Sequence, residues 1–206
     1  KKDCALTAKR FTRLACSARH LVPVLLTALL LASCQTSEVL DARKAVERAQ
    51  PDRFASVVID MSSGKELYGY SANAARYPAS LTKMMTLFLV FEAIQSGQVT
   101  KAALIPISAN AASQPPSKIG LGAGETIDLD TAIRAITVKS ANDISVAVAE
   151  YLAGSEEAFA ARMTAKARSI GMSRTVFRNA SGLHDPNQVT TAEDMAKLGV
   201  ALRKRF

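Results

Sequence analysis

The stretch "SLTKMMTLFLVFEAI", Ser80 to Ile94, constrains the fold of this chain more than any other segment. It is apolar on almost every helical face, so a helix formed here must be buried on most sides. It predicts a central helix over about Ser80 to Ser96, closed by Gly97 in the position a helix C-terminus favours. Lys83 is out of place in it. The first turn of a helix carries the positive end of the backbone dipole, so a cation there forgoes roughly 0.3–1 kcal/mol that an acid would gain. Either the lysine stem is buried and its head snorkels to water, or some chemistry requires an amine at this point.

Around this helix the pattern reads as mixed α and β. "FASVVID" and "KELYGY", separated by "MSSG", predict a hairpin. "ALIPI" is a short extended piece, and "SQPPSK" and "GLGAGETI" are loop or turn material. Three amphipathic helices follow: about Leu129 to Lys139, Ser140 to Ala153 before Gly154, and one capped by Ser155 that ends near Gly171. "RTVF" reads as a strand. Thr190 stands three residues before Glu193, a capping-box spacing, and opens a last helix that runs to the end of the chain.

The chain has 206 residues and a formal charge of +8, which alone would suggest an anionic partner. Six of the 26 basic residues and one of the 18 acids lie within residues 1–33, so five of the eight excess charges belong there. They precede the uncharged run "LVPVLLTALLLA", which at Leu21 to Ala32 is shorter than the roughly 20 residues a membrane span needs. A basic region followed by a short apolar one fits a secretory signal. "LASC", Leu31 to Cys34, resembles the lipobox of bacterial lipoproteins, with Cys34 as the lipidated residue; ordinary signal cleavage nearby is the alternative. The expected organisation is a leader over 1–33, a charged linker over 34–53 and a globular part over 54–206. With the charge assigned to a leader, a nucleic-acid partner loses its support. Cys4, Cys16 and Cys34 all precede the globular part, which leaves it no disulfide, thiol nucleophile or cysteine metal site.

Ser80-Leu81-Thr82-Lys83 matches Ser-x-x-Lys, and so does Ser62-Ser63-Gly64-Lys65 in the expected hairpin turn. Context separates them. At 80–83 a spacing of three puts both side chains on one face of a buried helix. Desolvation and the dipole both disfavour the ammonium, so Lys83 tends towards a neutral amine that can take the proton from an attacking Ser80. Ser-x-Asn occurs at Ser71, Ser108 and Ser140. Only Ser140-Ala141-Asn142 lies at a junction of two expected helices, where a polar turn can project both side chains into a cleft; the others read as loop and cap residues. Asp143 reads as an ordinary acid in a first helical turn.

These segments resemble the serine D-alanyl-D-alanine carboxypeptidases, the low-molecular-mass penicillin-binding proteins of peptidase family S11. "YPASLTKMMT" is similar to their nucleophile segment and "VKSANDISVAVAE" to their second element. "SQPPSKIGLGAGETI" and "FRNASGLHDPNQVTTAEDMAKL" are similar to intervening segments, and the likeness runs from about Phe54 to the end. The resemblance implies an α+β, β-lactamase/transpeptidase-like fold: an antiparallel sheet with flanking helices, a helical subdomain and a cleft between them. It implies Ser80 as acylated nucleophile, Lys83 as its base, Ser140 as proton relay to the departing D-alanine, and Asn142 as the amide that orients lysine and substrate. It implies no cofactor and no metal. The implied substrate is a peptidoglycan stem peptide ending in D-Ala-D-Ala, with β-lactams acylating the same serine in a bacterial periplasm or envelope. A membrane surface would be reached through the N-terminal lipid. The family's Lys-Thr-Gly element does not occur in these residues. The expectation is therefore a fragment whose remaining sheet strands lie beyond Phe206, inactive when expressed alone.

Other sites read as structural. The glycines at 120, 122 and 124 do not have dinucleotide spacing. His184 beside Asp185 belongs to turn chemistry before Pro186, and Arg203 to Arg205 to a solvated helix end. The competing functions are a D,D-endopeptidase or β-lactamase-like hydrolase sharing the first two motifs, and a non-catalytic envelope protein that binds peptidoglycan.

Overall fold

The computed structural model describes residues 54–206; the leader, Cys34 and the linker lie outside the described residues. The first hairpin forms as its alternation predicts. Strand β1 (Ser56–Ile59) pairs antiparallel with β2 (Glu66–Tyr70), Ser56 opposite Tyr70, and the register slips between Val58 and Ile59. Its turn is organised by Asp60, whose Oδ1 accepts from the backbone N–H and the hydroxyl of both Ser62 and Ser63. The Ser62–Lys65 match is thus an exposed Asx-type turn.

A 3₁₀ turn (Ala79–Leu81) leads into α1 (Thr82–Gln95), so the expected helix begins two residues late and Ser80 sits in the tighter turn ahead of it. Met85, Phe88 and Val90 are fully buried, and Gly97 takes the positive φ that ends the helix. A second hairpin joins β3 (Leu104–Pro106) to β4 (Thr126–Asp128), with α2 (Ala109–Ser113) between them, capped by Ser108. Strand β4 has only three residues behind a run of glycines, too short to show a period.

Helix α3 (Leu129–Arg134) does not continue to Lys139 as an α-helix. Residues Ala135–Lys139 form a π turn that ends at Ser140, which adopts the left-handed conformation at φ 56°. The following α4 (Asn142–Ala153) therefore begins at Asn142, two residues after the expected start. Helix α4 is buried along almost its whole length and packs against α1, α2 and β3. Helix α5 (Glu156–Ser169), with Ser155 as cap, covers α4 and α1.

Helix α6 (Ala192–Arg205) packs on both α1 and β1 and so ties the hairpin to the helical core. Its cap is Thr191, whose hydroxyl accepts from Asp194 N–H at 3.1 Å, and not Thr190. Thr190 is engaged in a bridge with Arg76, N–H to carbonyl in both directions at 2.8 Å. The strand expected at "RTVF" is a single bridge, Val176 to Val189. Arg205 is not simply solvated: its Nη1 lies 2.6 Å from Glu92 Oε1, which also pairs with Lys166. The result is α+β, with two small antiparallel sheets beside a helical core among the described residues. Among them, no helix is long and apolar enough to cross a membrane.

The α5 cap offers a direct check of these local rules. Ser155→Ala removes the acceptor for Ala158 N–H and is expected to lower unfolding free energy by about 1 kcal/mol, whereas Ser155→Gly costs a few tenths. Urea unfolding of both variants checks this; equal midpoints for Ala and wild type would refute the cap assignment.

Candidate active site

The π turn and the left-handed Ser140 aim the start of α4 at the first turns of α1. Asn142 and Lys83, 59 residues apart in sequence, meet there: Lys83 Nζ donates to Asn142 Oδ1 at 2.9 Å. It also donates to the backbone carbonyl of Ser181 at 2.5 Å. The residue that looked misplaced in the sequence is only 4% exposed. It is not a snorkelling lysine.

Both acceptors of Lys83 are neutral, and among the described residues no carboxylate pairs with it. Burial therefore acts on the ammonium without a compensating charge and pushes its pKa down to about 8. A neutral amine has two hydrogens and one lone pair. The two acceptors match the two hydrogens and leave the lone pair free to take a proton.

Asn142 is held from both ends. Its Nδ2 donates to Pro115 O at 2.9 Å and its backbone N–H to Ser117 O at 2.7 Å. The carbonyl of Pro115 can accept only from the amide nitrogen, so Oδ1 is the atom turned to Lys83. On the other side, Thr86, one turn after Lys83 on α1, donates its hydroxyl to Ala180 O at 2.7 Å. Segment 180–181 is thus held at two consecutive carbonyls by α1, and Glu156 at the start of α5 accepts from Ala180 N–H at 3.0 Å.

Ser80 is exposed, in the 3₁₀ turn. The turn is strained: Ala79 has φ 46°, a left-handed conformation that non-glycine residues seldom take. Gly182 is the reason it fits. A Cβ at 182 would lie 1.9 Å from the Ala79 carbonyl oxygen, so the turn that carries Ser80 rests directly on a backbone surface that only glycine provides. No hydrogen bond joins Ser80 Oγ or Ser140 Oγ to Lys83 Nζ among the described residues. The contact the structure does make is Lys83 to Asn142, with Ser140 two residues before it on the turn.

Two participants were not singled out in the sequence, and a third was read differently. The Ser181 carbonyl and Gly182 lie in "NASGLHD", where a backbone acceptor leaves no side-chain signature and only the glycine gives a hint. The third, Asp143, is fully buried and is not the ordinary first-turn acid expected. His184 is exposed and packs edge-on against Tyr77 at 5.1 Å, while Asp185 accepts from Asn187 N–H, as turn chemistry predicts. Among the described residues no group of three or more His, Cys, Asp or Glu is placed to hold a metal ion.

Comparison with known proteins places this geometry in context. Residues 42–206 match the family described as D-alanyl-D-alanine carboxypeptidase, peptidase family S11. The D-alanyl-D-alanine carboxypeptidase DacF of Bacillus subtilis is 37% identical over 164 residues, 80% of this chain and 42% of the relative. The structure is similar to that of the D-alanyl-D-alanine carboxypeptidase DacD from Francisella tularensis, with TM-score 0.73 and 38% identity over 75% of this chain and 38% of that one. It is also similar to penicillin binding protein 5 from Haemophilus influenzae, with TM-score 0.70 and 32% identity over 73% and 44% of the two chains. The chain spans about two fifths of the length of the curated relative it matches. The expected transpeptidase-like α+β fold is borne out by these structures. With the family match extending over most of its length, the chain belongs to the S11 family of D-alanyl-D-alanine carboxypeptidases.

Proposed function

We propose that this chain carries the nucleophile half of a serine D-Ala-D-Ala carboxypeptidase, acting on peptidoglycan stem peptides and acylated by penicillins. The observation that carries the reading is the buried Lys83 amine, with two neutral acceptors and no counter-ion. Ser80 Oγ attacks the carbonyl carbon of the penultimate D-alanine as its proton passes to Lys83 Nζ, while the N-terminal dipole of α1 favours the developing negative charge. The bond to the leaving amide nitrogen breaks, and Ser140 relays the proton to the departing D-alanine. A water then hydrolyses the Ser80 ester. Asn142 holds Lys83 and faces the substrate's peptide group.

Family membership and the leader-like N-terminus together support export to the bacterial envelope. Within this reading Cys34 carries a lipid that holds the protein at a membrane surface. Metabolic labelling with radioactive palmitate is expected to mark the wild type and spare Cys34→Ala; equal labelling of both would refute lipidation at this residue.

The catalytic reading is tested in the complete gene product with a fluorescent penicillin and with release of D-alanine from a pentapeptide. Ser80→Ala is expected to take no label. Lys83→Ala is expected to fold and to lose about 10²- to 10⁴-fold in acylation rate, the typical worth of a positioned base. Because the base is the deprotonated amine, the rate should rise about tenfold per pH unit below 8 and level off above it. Label retained by Lys83→Ala, or a flat profile from pH 6 to 9, would refute this role. Release of D-alanine from the pentapeptide identifies a carboxypeptidase; cleavage of a crosslinked dimer alone would replace it with an endopeptidase.

A further inference from the structure

Asp143 is a buried acid with no part in the chemistry above. It is 0% exposed at the second residue of α4, where an acid answering only to the helix dipole would face water. Its carboxylate instead accepts backbone N–H groups: Ile119 at 3.0 Å and Gly120 at 2.8 Å on Oδ2, and Ile144 at 2.8 Å on Oδ1, which also lies 3.1 Å from Ile119 N. No cation is paired with it among the described residues. Ile119 and Gly120 belong to the same loop whose Pro115 and Ser117 carbonyls accept from Asn142. The loop therefore receives hydrogen bonds from Asn142 and gives them to Asp143, and Ser117 Oγ adds a bond to Lys139 O at 2.7 Å on the turn before Ser140.

We propose that Asp143 is a positioning residue for acylation: it anchors loop 115–120, whose Pro115 carbonyl fixes the Asn142 amide with Oδ1 towards Lys83. The inference rests on the catalytic reading of Ser80 and Lys83. Without the carboxylate, the N–H groups of Ile119 and Gly120 lose the acceptor that ties this exposed loop to the buried start of α4. The loop moves to recover partners, Asn142 loses the acceptor that orients it, and Lys83 loses one of the two groups that hold its hydrogens. Misplacement of a catalytic group by about 1 Å can cost on the order of 10²-fold.

The test is a double-mutant cycle in the complete gene product, reading the rate constant of acylation by a fluorescent penicillin per folded molecule. Asp143→Asn keeps the shape but turns an amide donor towards backbone donors. It is expected to slow acylation about 10- to 100-fold. In an Asn142→Ala background the same change is expected to cost nothing further, because the path from Asp143 to Lys83 is already cut. A merely structural Asp143 would lower stability while leaving the rate per folded molecule unchanged, or would lower the rate by the same factor in both backgrounds; either result overturns the proposal. Where Asp143→Asn does not fold, Asp143→Glu, which retains both acceptor oxygens but displaces them, carries the same cycle with the same criteria. A wild type that takes no label on Ser80 overturns the catalytic reading and this inference with it. Label on Ser80 with a wild-type rate for Asp143→Asn overturns the inference alone.

Discussion

The structure turns on one amine. Lys83 Nζ is where three stretches of chain meet: α1 through its own backbone, the Ser140–Asn142 turn through Oδ1, and segment 180–182 through the Ser181 carbonyl. Each partner lies far away in sequence, and each reaches the amine through a neutral atom. Burying a charge against neutral groups is costly. That cost falls on the charged form alone and so lowers the pKa of Lys83, the property that its proposed role as base for Ser80 requires.

Much of the fold serves to hold those three pieces in register. The apolar faces of α1 and α4 supply the rigid core, and the π turn before Ser140 changes the path of the chain so that α4 starts at Asn142. Gly182 allows segment 180–182 to lie against the strained Ala79 carbonyl. Asp194 has a similar anchoring role further from the centre, accepting from Arg174 N–H and Thr175 Oγ1 at 2.9 and 2.8 Å. That bond holds the start of the 174–191 segment on α6. Buried acids that accept from backbone and hydroxyl donors thus fix loops at two places, Asp143 with no cation paired to it among the described residues and Asp194 with Lys197 Nζ at 3.3 Å from its Oδ1.

The sequence exposed the elements whose signal is local. The apolar run, the caps at Ser108 and Ser155, the Gly97 stop and the first hairpin could all be read from period and turn chemistry. Lys83 and Asn142 could be separated from the other Ser-x-x-Lys and Ser-x-Asn matches by the helical context expected around them, and their side chains do meet. What could not be read depended on distant partners. Thr190 lost its cap role to Thr191 because Arg76 claims its backbone. The π turn leaves no periodic trace in five residues, and β4 is too short to show alternation. Ser181 contributes only a carbonyl. Asp143 looked ordinary because a first-turn acid is common; its burial comes from a loop more than twenty residues upstream.

The central claim is that burial among neutral partners lowers the pKa of Lys83 well below that of a free lysine, and it can be tested without any substrate. In protein labelled with ¹³C-lysine, the Cε resonance of Lys83, assigned by its loss in Lys83→Arg, reports protonation of that one amine as pH is raised. The account predicts a midpoint near 8. A midpoint at 10.5, the value of an unperturbed lysine, would contradict it.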